Sequence, residues 1–280
     1  MPQHVMTPPA LAFVHGAARY AQLDPTGRGA YGTVYLAVDR LTGNAVAIKR
    51  QRIPSDAAAR EMSIYRLLRA FPHEHVQSMS DSYVTTNTAS GGRAREELCM
   101  VFTFCPTTLW CLWVSPQGQA GLLGEPRVAG LLHGIACGVD HLHGLQLTHG
   151  DLTLKNVLVD EESRAKVCDF GASFCSRMAT CSCQDEITTC YVRAPEVWLG
   201  GATRHAADIW AVGVIGLALF SGKIPWLAND GAGEFAVIRD VARVIGVPSA
   251  DVWPDVTGCF LNGARVLPGS HHSCQLGRRS

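Results

Sequence analysis

The sequence predicts an α+β fold of two lobes, a small β-rich N-lobe with one key helix and a larger α-helical C-lobe. Three observations carry that expectation. Short β-branched and aromatic runs separated by turn residues fill 20–104. After Pro106, apolar residues recur at helical spacing. Apolar residues make up 47% of the 280 residues and charged ones 17%, a composition able to bury a sizeable core.

Taken in order, residues 1–19 read as an N-terminal extension: two prolines break the short apolar run and no basic leader precedes it, unlike a signal peptide. TVYLAV, AVAIKR and CMVFTF read as strands, with Leu41-Thr42-Gly43-Asn44 as a turn. Pro54-Ser55-Asp56 signals a helix start, and DAAAREMSIYRLLRA continues it with Met62, Tyr65 and Leu68 on one face. Thr86 to Glu97 is polar, carries a Gly-Gly pair, and reads as an exposed loop. Arg127 to Gly144 places Val128, Leu131, Leu132, Ile135, Val139 and Leu142 at helical spacing. IWAVGVIGLALF, Ile209 to Phe220, is apolar nearly all round and belongs at the centre of its lobe; its 12 residues fall short of the roughly 20 that span a bilayer. The expected organisation is one domain over 20–257, with an N-lobe at 20–104 and a C-lobe at 106–257, then an irregular tail at 258–280. A cleft at the junction of the lobes is the default ligand site.

Charge and cysteine content narrow the function classes. Twenty-four basic residues balance 24 acidic ones, so no field favours nucleic acid or an anionic membrane, and neither is expected as a partner. Eleven cysteines, odd in number and without a CxxC pair, read as reduced thiols of a cytoplasmic or nuclear protein.

Four motifs then carry chemistry. Gly27-Arg28-Gly29-Ala30-Tyr31-Gly32-Thr33-Val34 fits GxGxxGxV, whose backbone N–H groups can approach phosphates; a glycine-bearing hairpin is the plainer reading. A strand, TVYLAVD, follows instead of the helix that a dinucleotide site needs, so the loop reads as a flap over a nucleotide. Val46-Ala47-Ile48-Lys49 puts a lysine on the next strand to hold α/β-phosphates, and Glu61 on the following helix is its natural ion-pair partner. His149-x-Asp151-x4-Asn156 offers a carboxylate to orient and deprotonate an attacking hydroxyl, and an amide oxygen for magnesium. Asp169-Phe170-Gly171 adds a second metal ligand, a carboxylate. One such motif is weak; four in this order are specific.

With these residues in hand, the chain resembles the eukaryotic protein kinases over roughly Tyr20 to Thr257. The nearest branch is the cyclin-dependent kinases. Tyr191-Val192-Arg193-Ala194-Pro195-Glu196-Val197-Trp198-Leu199-Gly200 resembles that branch's WYRAPEILLG, Val252-Trp253-Pro254-Asp255-Val256-Thr257 its VWPGVT, and Met100 to Phe104 its LVFEF hinge. The resemblance implies a protein serine/threonine kinase using ATP and Mg2+ on a protein substrate, with a cyclin-like activator among the partners it admits. It implies catalytic roles for Asp151, Lys49, Glu61 and Thr189, and metal roles for Asn156 and Asp169. ATP-binding roles fall on Gly27, Gly29, Gly32, Val34, Ala47, Lys49, Phe102, Thr103, Phe104, Cys105 and Leu158. Arg193 matches an arginine near the +1 pocket of proline-directed members.

Departures from the pattern are equally specific. Gly150 replaces the arginine that binds an activation-loop phosphate, Gln184 stands at the phosphothreonine position, and Phe174 at a second arginine, leaving Arg60 of three cations. Together these imply an activation segment that needs no phosphate there. Thr153 replaces a lysine that touches the γ-phosphate, and Lys155 could partly restore that charge. The PSTAIRE helix keeps only Arg60-Glu61, and the last helices of the C-lobe are not evident, so the lobe reads as incomplete and C-terminally short. Two alternatives follow: a pseudokinase serving as a nucleotide-binding or scaffold module, and a small-molecule phosphotransferase, whose members share HGDL.

Overall fold

In the computed structural model of the chain, the described residues are 16–29, 32–88, 94–176, 189–198, 204–224, 226 and 234–246. They form two compact units: one comprises the described residues through Met62 with Ser78–Phe104, the other Ser63–Gln77 with the described residues from Cys105 onward.

The first unit is a five-stranded antiparallel sheet in the order β1-β2-β3-β5-β4, with β1 at Tyr20–Gly29, β2 at Gly32–Asp39, β3 at Ala45–Arg52, β4 at Met79–Thr88 and β5 at Ala94–Thr103. Strand alternation puts Val46 and Ile48 into a core with Tyr20, Ala37, Cys99 and Val101, which turns Ala47, Lys49 and Gln51 to the opposite face. Helix α1, Asp56–Ala70, follows β3; Ser55 Oγ accepts from the Ala58 N–H at its start, and Ala58, Met62, Tyr65 and Leu68 are buried. The helix matches the spacing read from the sequence. The loop expected at Thr86 to Glu97 is narrower. Thr86 pairs with Glu96 and Thr85 with Glu97, because a hairpin ladder can carry polar side chains to its open end.

The second unit is mainly helical. It contains α2 at Leu109–Val114, α3 at Pro116–Gln119, α4 at Glu125–Gly144, α5 at Pro195–Trp198, α6 at His205–Ser221 and α7 at Glu234–Ile245. Short strands β6 (Thr107–Thr108), β8 (Val157–Val159) and β9 (Ala165–Val167) form one sheet; β7 (Leu147–Thr148) and β10 (Phe174–Cys175) form another. Val128, Leu131, Ile135, Val139 and Leu142 of α4 are buried, as their spacing requires. Helix α6 buries Ala207, Ala211, Val214, Ile215, Ala218 and Leu219, but it is not enclosed all round: Ile209, Leu217 and Phe220 are exposed. An all-apolar helix conceals from the sequence which of its faces has a neighbour.

The described cysteines are free thiols. No helix among the described residues is long and apolar enough to cross a membrane. Residues 1–15, Ala30 and Tyr31, Gln184, Leu199 and Gly200, the Val252–Thr257 motif and the 258–280 tail lie outside the described residues.

Candidate active site

The first unit holds a strand lysine and a helix carboxylate. Pairing of β1 with β2 sets Gly27 opposite Val34 and Gly29 opposite Gly32, so the glycine motif is the end of an antiparallel hairpin. Glycine at 32 is dictated by close approach: a Cβ there would stand 2.2 Å from the Arg50 carbonyl oxygen. Register then sets Val34 beside Lys49, and Ala47 between Leu36 and Phe102. Lys49 Nζ donates to Glu61 Oε1 at 2.8 Å and Oε2 at 3.0 Å, and Glu61 is fully buried. A buried carboxylate is tolerable only when paired in this way. Gln51 Nε2 donates to the same carboxylate at 2.5 Å. Phe102 is buried within β5, Thr103 ends that strand, and Phe104 follows it.

In the second unit the residues of the His149-x-Asp151-x4-Asn156 motif converge with Thr189. Thr189 donates twice to Asp151 Oδ1, from its N–H at 3.0 Å and its hydroxyl at 2.9 Å. Asn156 Nδ2 donates to the Asp151 carbonyl at 2.7 Å and to Oδ2 at 3.2 Å. With the amide nitrogen spent there, Oδ1 is the Asn156 atom left for a cation. Burial pushes the Asp151 carboxyl above its ordinary range, and the two bonds from Thr189 oppose that rise.

His149 holds the loop from beneath. Its Nδ1 accepts the Asp151 N–H at 3.2 Å, which leaves Nε2–H to donate to the Cys168 carbonyl at 3.0 Å. Phe170 is fully buried between the rings of Tyr65 and His149, with centroids 5.1 and 5.4 Å away. This packing anchors Asp169, whose φ of 65° is left-handed and whose N–H meets Tyr65 Oη at 3.3 Å. Two hard oxygen donors, Asn156 Oδ1 and the Asp169 carboxylate, suit magnesium, which takes few protein ligands and completes its shell with phosphate and water. Leu158 lies on β8 opposite Lys166 and Thr108. Cys105 is half-buried, and burial pushes its thiol up to about 11.

Asp208 of α6 has the largest role that the motif readings missed. Its buried carboxylate accepts from the N–H groups of His149 at 2.9 Å and Gly150 at 3.0 Å, and from His143 Nε2 at 2.9 Å. Gln51 was missed as well, although a polar residue on the Lys49 side of a strand was a usable signal. Gly150 has a positive φ of 79°, and a Cβ there would lie 2.9 Å from the Ala172 carbonyl oxygen and 3.5 Å from the Phe174 ring. The missing arginine is therefore also a steric matter, with Phe174 packed against the space.

Thr153 is buried, and its hydroxyl accepts the N–H groups of Lys155 and Asn156 at 3.2 and 3.3 Å. It shapes the turn. Lys155 is exposed, and its Nζ rests 4.8 Å from the centre of the Trp110 ring. The Arg193 guanidinium stacks on Trp198 at 4.2 Å.

The model of the protein kinase domain matches residues 20–259. Cyclin-dependent kinase B2-1 of Oryza sativa subsp. japonica is 32% identical over 246 residues, 85% of this chain and 73% of that protein. Cyclin-dependent kinase 4 of Mus musculus is 32% identical over 249 residues, 85% of this chain and 78% of that protein. Mitogen-activated protein kinase Hog1 of Zymoseptoria tritici is 31% identical over 239 residues, 84% of this chain but 62% of that protein. The chain belongs to the eukaryotic protein kinase family and resembles its cyclin-dependent branch.

Proposed function

We propose that the chain is an ATP- and magnesium-dependent protein serine/threonine kinase. The observation that carries this reading is the Asp151 carboxylate, held by Thr189 on one oxygen and Asn156 on the other. Asp151 orients a serine or threonine hydroxyl of a protein substrate and takes its proton as the phosphoryl group leaves ATP. Burial raises its proton affinity, which suits a base, and the two bonds from Thr189 oppose that rise. Lys49, fixed by Glu61, holds the α/β-phosphates, and the backbone of Gly27, Gly29 and Gly32 donates to phosphate oxygens. The remaining ATP-binding positions are Val34, Ala47 and Phe102 to Phe104 of the first unit, and Cys105 and Leu158 of the second. Asn156 and Asp169 hold magnesium, which neutralises phosphate charge when bound. A preference for proline after the acceptor residue belongs to the same reading, on Arg193.

The start of the activation segment has an anchor that requires no phosphate. Phe174 pairs with Thr148, Ser176 N–H donates to the Gln146 carbonyl at 2.8 Å, and Ser176 Oγ bonds Thr148 Oγ1 and His205 Nε2. These contacts support activity without modification at Gln184. Phosphosite mapping of active protein checks it, and an activity-controlling phosphate between Gly171 and Ala194 overturns it.

Transfer of radioactive phosphate from ATP to a protein substrate tests the main reading, with Asp151→Asn and Asp169→Asn as inactive controls. A second reading, a nucleotide-binding module without transfer, draws on Thr153, whose buried hydroxyl serves the loop where a lysine would serve the phosphate. Nucleotide binding with no transfer above the Asp151→Asn background selects it.

A further inference from the structure

Strand β3 carries a second donor to the carboxylate that pairs with Lys49. Gln51 lies two residues beyond Lys49 and so points from the same side of the strand. It is 4% exposed, and its Nε2 meets Glu61 Oε2 at 2.5 Å. Chemistry fixes the amide's orientation, since an oxygen turned toward the carboxylate would repel it. Among the described residues, Gln51 Oε1 is buried with no hydrogen-bond partner. A buried unpaired carbonyl is destabilising, and an aliphatic side chain would fill the same space without one. What the amide adds is the charge-assisted bond to Glu61. Gly32 makes room on the other side, since a Cβ there would come within 3.1 Å of Gln51 Cγ.

We propose that Gln51 is a positioning residue that holds Glu61, and the first two turns of α1 with it, in register with Lys49, so that this pair forms without a cyclin-like activator seated on α1. The consequence for activity rests on the kinase reading; the positioning itself does not. Lys49 alone could follow Glu61 on its long flexible stem. Gln51 is shorter and starts from the same rigid strand, so its bond restricts where the carboxylate can sit.

Hydrogen exchange of the purified chain tests the positioning without any assumption about transfer. Gln51→Met keeps the volume and removes the donor, with Gln51→Leu as a second variant should one of them fold poorly. Loss of a bond to a charged group predicts about tenfold faster exchange in the first turns of α1, with β5 unchanged. In a Glu61→Gln background the same substitution should change exchange less than about twofold, as expected for coupled sites. Unchanged α1 exchange, or an equal effect in both backgrounds, would leave Gln51 as mere filling and overturns the proposal. In phosphate transfer by the chain alone, Gln51→Met should lower kcat/KM for ATP about tenfold. Wild-type transfer that appears only after addition of a cyclin overturns activator independence. Wild-type transfer that is absent altogether counts against the kinase reading, and the exchange result still decides the role of Gln51.

Discussion

Thr189 donates both its N–H and its hydroxyl to one oxygen of Asp151, at 3.0 and 2.9 Å. These bonds stabilise the ionised carboxylate against the burial that raises its pKa. Removing the hydroxyl alone, with Thr189→Ala, should let that pKa rise further. A base must be deprotonated to act, so the acid limb of kcat/KM against pH should move to higher pH, and the rate should fall roughly tenfold. Thr189→Ser should keep both the rate and the limb near the wild type. An unmoved limb in Thr189→Ala would separate this contact from catalysis.

Asp208 should matter for stability as well as for the shape of the loop. It pairs two backbone N–H groups of the catalytic loop and His143. Asp208→Ala leaves those donors buried and unpaired, with an expected loss of about 3 kcal/mol or more in denaturant unfolding. Asp208→Asn keeps the shape and one acceptor, and should fall between the two.

Restoring the arginine at 150 should not restore a phosphate receptor cheaply. The backbone there is left-handed, and a Cβ would press on the Ala172 carbonyl oxygen. Gly150→Ala and Gly150→Arg should each cost about 1–3 kcal/mol, read as a lower Tm. Equal Tm values would show that the loop relaxes freely.

Putting a lysine at 153 should likewise fail as a repair. Thr153 is buried and accepts two N–H groups of its own turn. Thr153→Lys should cost about 1–3 kcal/mol in unfolding free energy and leave phosphate transfer no faster.

Acid should loosen the anchor at Ser176. The ring of His205 stacks on that of His143 at 4.0 Å and bonds Ser176. Burial, then the neighbouring His143, lowers its pKa from the ordinary 6.5, with Asp208 opposing them. The folded state thus favours neutral His205. Its contribution is complete above pH 6.5 and is lost as pH falls from there through the lowered folded value. Unfolding free energies at pH 7.5 and 5 should therefore differ less in His205→Gln than in the wild type. The same slope in both would remove His205 from the account.

Two kinds of information met in this chain. Local order was legible from the sequence, because strand alternation, the 3.6 spacing of α1 and α4 and the ordered motifs are properties of neighbouring residues. Glycine at Gly27 and Gly32, Lys49, Asp151, Asn156 and Asp169 could all be named from chemistry and spacing. What the sequence left open were relations between residues distant in the chain. Asp208 reaches His149 and Gly150 from a separate helix, and Gln51 shares Glu61 with Lys49. The turn-forming use of Thr153 and the left-handed backbone at Gly150 were hidden for a related reason: a residue's identity states what it can do, while the packing around it decides which of those things it does.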